Sequence, residues 1–334
     1  MTSNKYTIGV DLGGTNLRIA AYPESPVVSG PMIESIGMAT RVADGPDAVA
    51  DDMSAAILEL LNRHGRGPHF AGLGVGTPGP LELPDGILHH LPNFPGFDGY
   101  NLKQAIEQRV GVPVNIESDA NLAALAEFRL GSGKTYGVRS LCMLTLGTGV
   151  GNGIVLEGKV WNGHNGMGGE AGHNTVDPQG EPCPCGSQGC LELYASATGV
   201  RRMAEESRAL EGHEAETLLL TASNIAERAI AGDACSVEVF SRVGTALGIG
   251  LGALVNTLNL PLYVVGGGMS AAWELFAPRM MEELGKRSYV YRLNAPTEEE
   301  SRLRSPRKTH VVRAELGSDA GILGACLLPR MDAG

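Results

Sequence analysis

The sequence predicts an α/β protein made of two related halves, and three observations carry that prediction. A strand, a glycine turn and a second strand occur twice. The first copy is Tyr6–Asp11, Gly13-Gly14-Thr15 and Leu17–Tyr22; the second is Ser140–Leu146, Gly147-Thr148-Gly149-Val150-Gly151 and Gly153–Leu156. Between and after them, short apolar runs alternate with stretches of helical spacing, as strands joined by helices require. The third observation is length: 334 residues suffice for two buried cores.

Each element follows from its residues. The DLGGTN turn joins strand to strand, so it is a hairpin whose glycines let backbone N–H groups approach a phosphate, or else an ordinary Gly-Gly hairpin. Asp11 at the strand end suits a hydrated Mg2+. Asp47–Asn62 has helical spacing, and Phe70–Gly76 is a strand that ends in the sharp turn Thr77-Pro78-Gly79-Pro80. Leu91–Phe97 is irregular and carries Asn93, either a loop asparagine or an amide for a hydroxyl-bearing ligand. Val112–Ile116 is a strand, Leu122–Leu130 a helix, and Asp119 stands at the junction, where taken alone an N-cap is a more natural role than catalysis.

Gly131-Ser132-Gly133-Lys134-Thr135 is not a phosphate-binding P-loop, because Phe128 stands where its first glycine belongs and a helix precedes it. Neither glycine hairpin opens a helix, so dinucleotide binding is excluded as well. Further on, Ser196–Glu206, Ala222–Ile230 and Asp233–Leu258 read as helices. Leu262–Val265 is a strand running into Gly266-Gly267-Gly268 and a helix from Ala271, a junction where a purine ribose can lie flat. Pro296–Lys308 is charge-dense and reads as a solvated loop. Val311–Ala314 and a helix over Asp319–Leu328 close the chain.

The most specific stretch is Gly168–Glu192. Cys183, Cys185 and Cys190 form a C-x-C-G-x-x-G-C clamp, with His173 ten positions upstream. Three thiolates and an imidazole suit tetrahedral Zn2+, and a closed set of four is structural. Gly186 and Gly189 let the clamp turn back on itself. Glu170 and Glu192 bracket the knot.

Composition bounds the rest. Hydrophobic residues are 43% and charged residues 19%, and the net charge of −11 argues against a nucleic-acid partner. No export signal is visible at the start. Val243–Val265 is nearly uncharged but glycine-rich, and reads as a closely packed helix and strand, not a membrane span. Six cysteines are too few for a disulfide scaffold, and Cys142, Cys235 and Cys326 are expected to be buried thiols in a reducing cytoplasm.

With DLGGTN, ESDAN, LGTGVG, GEAGH, CPCGSQGCLE and GGGMS in order, the whole sequence resembles the ROK family of bacterial sugar kinases and sugar-responsive regulators. The resemblance implies two ribonuclease-H-like domains of the actin, hexokinase and Hsp70 type with an inter-domain cleft. The expected division is 1–117 plus 319–334 as a smaller N-terminal domain, and 118–318 as a larger one carrying the zinc knot. By position, the family's general base matches Asp119. Its sugar contacts match Asn93, Asp119, Glu170, His173 and Glu192, with Gly79 lending backbone and Ser118 standing where members commonly have Asn. Its nucleotide turns match Gly13, Gly14, Thr15, Thr148, Gly149, Gly266 and Gly267, and its magnesium acid matches Asp11.

Only seven residues precede Ile8, which leaves no room for the helix-turn-helix domain of the family's regulators, so an enzyme is expected. The knot segment looks most like that of the family's glucokinases. The expected reaction is transfer of the γ-phosphate of ATP to the 6-hydroxyl of glucose. Mannose, fructose or an N-acetylhexosamine is the alternative acceptor, and a non-catalytic sugar-binding regulator the alternative class. Family members are usually dimers or tetramers, so a homo-oligomer is expected, with no nucleic-acid or membrane partner.

Overall fold

A computed structural model describes residues 5–23, 31–91, 93–210 and 220–330. The chain opens with β1 (Tyr6–Leu12), β2 (Asn16–Pro23) and β3 (Glu34–Ala39), then α1 (Pro46–His64) and β4 (Phe70–Thr77). A small hairpin of β5 (Leu81–Glu82) and β6 (Ile87–Leu88) precedes α2 (Leu102–Val110), β7 (Val114–Ser118), α3 (Asp119–Arg129) and α4 (Ser132–Tyr136). Next come β8 (Leu141–Leu146), β9 (Val150–Leu156), β10 (Lys159–Val160), α5 (Glu192–Ala195), α6 (Ala197–Leu210), α7 (Ala222–Ile230) and α8 (Ala234–Leu258). The order ends with β11 (Leu262–Gly266), α9 (Trp273–Arg287), α10 (Tyr289–Asn294), α11 (Glu298–Arg302), β12 (His310–Arg313) and α12 (Ala320–Leu327).

Two compact units form: Met1–Lys134 with Gly153–Gly169 and Ser318–Gly334, and Thr135–Asn152 with Glu170–Gly317. The first therefore reaches past the expected boundary at residue 117. The reason is packing: Leu122 and Leu125 of α3 lie against Ala325 and Leu327 of α12. The segment from Gly153 follows, because a side chain at Gly153 would collide with Ala120 of α3.

In the first unit the sheet order is β3-β2-β1-β4-β7, antiparallel on the β3 side of β1 and parallel from β1 through β7. Strand alternation sends Tyr6, Ile8, Val10 and Leu12 into one core with Val49, Met53, Ile57 and Leu60 of α1 and Ile106 and Val110 of α2. The opposite face of β1 belongs to α12: Thr7 Oγ1 donates to the Cys326 carbonyl at 2.7 Å. Side chains at Gly9 and Gly74 would collide with Cys326 and Ala325, so the bare strand backbone lets this helix lie directly on the sheet.

The second sheet runs β10-β9-β8-β11-β12, with β8, β11 and β12 parallel. In the second unit α8 and α9 pack with Gly244 and Gly248 against the Phe276 and Met280 backbones. By length and composition α8 could cross a membrane, yet 61% of its most apolar window is buried within the protein, as expected for a packed helix.

β3, α2, α10 and α11 are among the elements not expected from the sequence. β3 alternates half-buried and exposed residues, which leaves little apolar signal. α2 buries only four of its nine residues. The short α10 follows directly on α9. The charge-dense Pro296–Lys308 contains α11, started by a capping box in which Thr297 and Glu300 satisfy each other's backbone N–H groups.

Candidate functional site

In the first unit the parallel register sets Asp11 beside Gly76, and Thr77 beside Ser118. β1, β4 and β7 therefore end at one edge, and the turns leaving them carry Gly13-Gly14-Thr15, Gly79 and Asp119. Ligands of open α/β sheets bind at such carboxyl edges. The hairpin turn is closed by Gly13 N–H donating to the Asn16 carbonyl at 2.9 Å, and it is pinned by Thr40 Oγ1 donating to the Gly13 carbonyl at 2.7 Å. Exposed Asn93 adjoins it: a methyl at Gly14 would lie 3.8 Å from Asn93 Cβ.

Ser118, not Asp119, caps α3. Its Oγ accepts from Asn121 N–H at 3.3 Å, and Asp119 is the first helical residue, its Oδ1 accepting from Ala120 N–H at 2.6 Å. The capping role open to Asp119 in the sequence thus falls to its neighbour, because the strand ends in extended backbone at Ser118. Behind them sits Glu117, a residue the sequence reading passed over. It is 3% exposed, and its Oε1 accepts from Ser118 N–H at 2.8 Å and from Asn121 Nδ2 at 3.0 Å. Burial pushes its carboxyl above the usual range, partly offset by those hydrogen bonds. The signal was present in VNIES, where a carboxylate stands next to an alternating apolar strand.

Asp11 faces the first turn of α12, its carboxylate 3.0 to 3.2 Å from where a methyl on Gly321 would sit. Burial raises its pKa, and Arg18 opposes the rise. That guanidinium is itself held by Asp319 at 2.6 Å and by the Ser318 carbonyl at 2.8 Å.

In the second unit Gly266 lies beside Thr145, so the Gly147–Gly149 and Gly266–Gly267 turns leave neighbouring parallel strands at one edge. Gly267 has φ +82° and sits against the Leu146 backbone, where any side chain would collide. Three hydrogen bonds grip the 147–150 turn from one short segment. Glu192 Oε2 accepts from Val150 N–H at 2.9 Å, Ala197 N–H donates to the Gly147 carbonyl at 2.8 Å, and Thr198 Oγ1 donates to the Thr148 carbonyl at 3.0 Å. Glu170 precedes the 3-10 turn Ala171–His173. Its carboxyl is raised by loss of water, lowered by His173 and raised again by Glu192.

The ligand atoms of His173, Cys183, Cys185 and Cys190 all lie within 4.8 Å of one another, close enough to share one metal ion. Cys185 and Cys190 sulfurs are 3.7 Å apart, and His173 Nδ1 is 3.8 Å from Cys183 Sγ. Gly186 and Gly189, at φ +90° and +62°, make the two reversals that bring the clamp together. All six cysteines are free thiols, and Cys142, Cys235 and Cys326 are buried as expected.

Two mixed sheets with flanking helices, each with glycine turns at its carboxyl edge, define a sugar-kinase fold of the actin and hexokinase type. The chain belongs to the ROK family, whose sequence profile matches residues 7–331. It is 34% identical over 331 residues to a glucokinase of Halalkalibacterium halodurans, covering 96% of this chain and 94% of that one. A ROK hexokinase from Thermus thermophilus superposes with a TM-score of 0.76 at 30% identity, covering 98% and 99% of the two chains. A ROK family glucokinase from Streptomyces griseus, solved in complex with glucose and AMPPNP, superposes with a TM-score of 0.75 at 30% identity over the same shares.

Proposed function

We propose that this protein is an ATP-dependent glucokinase that transfers the γ-phosphate of ATP to the 6-hydroxyl of glucose. The observation that carries this reading is the near-full-length likeness to a glucokinase and to the glucose- and AMPPNP-bound structure. Asp119, at the carboxyl edge of the first sheet, is the base: it orients the 6-hydroxyl and takes its proton as the oxygen attacks. By the family reading, Asn93, Gly79, Ser118, Glu170, His173 and Glu192 are the sugar contacts. Phosphoryl transfer asks mostly for positioning and charge neutralisation. None of the 13–15, 147–149 and 266–267 turns carries a lysine, so it is their backbone N–H groups that hold the phosphates.

Asp11 would hold Mg2+ accompanying ATP; its carboxylate, short of compensating charge, fits a cation, and the ion would neutralise phosphate charge. His173, Cys183, Cys185 and Cys190 would hold Zn2+ as a structural ion. Tetrahedral bonds of about 2.3 Å put sulfurs roughly 3.8 Å apart, and the 3.7 Å between Cys185 and Cys190 agrees. With Nδ1 turned to the thiols, Nε2 is the nitrogen that donates to a sugar hydroxyl, its tautomer fixed by the ion. Free thiols and a thiolate knot suit a reducing cytoplasm, and the same family reading makes the enzyme a homodimer or homotetramer.

Release of ADP with a panel of glucose, mannose, fructose and N-acetylhexosamines tests the reaction and the acceptor together. Glucose is expected to give the highest kcat/KM. A preference for an acetylated sugar would move the acceptor, and sugar binding with no ADP release from any hexose would leave a regulator.

A further inference from the structure

We propose that Glu192 is a positioning residue for the nucleotide turn as well as a sugar contact, so that one carboxylate ties glucose affinity to the geometry of Gly147–Val150. This rests on the reading of Glu192 and of that turn given above. The two oxygens divide the work. Oε2 accepts from Val150 N–H at 2.9 Å and lies where a side chain at Gly149 would have to go, while Oε1 stands farther off, 3.9 Å from the same point; this leaves Oε1 as the oxygen for the sugar. Glu192 opens the segment that also holds the other end of the turn, through Ala197 N–H on the Gly147 carbonyl and Thr198 Oγ1 on the Thr148 carbonyl. That segment begins two residues after Cys190, whose sulfur faces the His173 carbonyl at 3.3 Å. The strap therefore runs from the metal-binding clamp straight onto the turn. A hydroxyl on Oε1 fixes the carboxylate, and the fixed carboxylate fixes Val150 N–H. By linkage, a turn set correctly by nucleotide must then raise affinity for sugar by the same factor.

The test is Gly149→Ala, titrated with glucose by calorimetry with no nucleotide present. Its methyl displaces Glu192 Oε2 while every sugar-binding side chain remains. Loss of a hydrogen bond to a charged group predicts glucose binding weaker on the order of tenfold or more. Glu192→Gln is the companion, since its carbonyl still accepts from Val150 N–H. It is expected to keep AMPPNP affinity within about twofold while weakening glucose, and Glu192→Ala to weaken both. Wild-type glucose affinity in a folded Gly149→Ala protein would overturn the proposal and leave the kinase reading standing. So would AMPPNP affinity in Glu192→Ala equal to that of Glu192→Gln, an outcome readable even if Gly149→Ala does not fold. A wild-type protein that binds no glucose would overturn the kinase reading and this one with it.

Discussion

Glu117 lies one residue from the cap of α3 and two from the proposed base, and its carboxylate is held by Ser118 N–H and the Asn121 amide with almost no exposure. Because burial raises its pKa in the fold, the folded protein keeps the proton longer than the unfolded chain does. Its contribution to stability is therefore complete in acid and is lost as pH rises through the raised value. Glu117→Gln should lose that slope, so its stability relative to wild type should rise as pH increases above the unfolded carboxyl range; urea melts in acid and at neutral pH measure it, and parallel curves would refute it. At the neighbouring proposed base, Asp119→Asn should lower kcat by roughly 10²- to 10⁴-fold while glucose binding stays measurable by calorimetry. Turnover near wild type would remove Asp119 from its role. The sequence exposed Asp119 through its motif, but not which residue of Ser118 and Asp119 would cap. Both are good caps, and only the point at which the strand's extended backbone stops decides between them.

At the scale of elements, the glycines that let α12 lie on the first sheet make a sharper prediction than any side chain there. Gly74→Ala would drive a methyl into the Ala325 backbone, which cannot yield without moving the helix. The expected cost is about 1–3 kcal/mol of stability by overpacking, read from the urea midpoint; an unchanged midpoint would show that α12 shifts without cost. The elements that declared themselves in the sequence were those with a strong period or a strong break: the two glycine hairpins, α1, α8, and the C-x-C-G-x-x-G-C clamp. β3 and α2 stayed hidden because their apolar faces are thin. The grip of Glu192 on Val150 was also illegible, since it joins residues 42 apart in sequence through a backbone N–H that has no letter of its own.

For the molecule as a whole, the proposed metal clamp predicts that stability and binding are linked. Metal affinity in such a set can supply about 10–16 kcal/mol of local folding free energy. Purified protein should carry one Zn2+ per chain by elemental analysis, and chelation should lower Tm. Because the proposal gives His173 both to the clamp and to the sugar contacts, chelation should also weaken glucose binding in protein that is still folded. Full glucose affinity after stripping would separate the two duties.

The discontinuous make-up of the first unit bears on how the chain comes off the ribosome. β1 through β7 emerge early, but α12, which closes the bare backbone at Gly9 and Gly74, emerges only after the whole of Glu170–Gly317 has been polymerised. Until then α3, through Leu122 against Gly76, covers only part of that face, and the backbone at Gly9 and Gly74 stays bare. A transcript cut short before Ser318 would leave it so permanently.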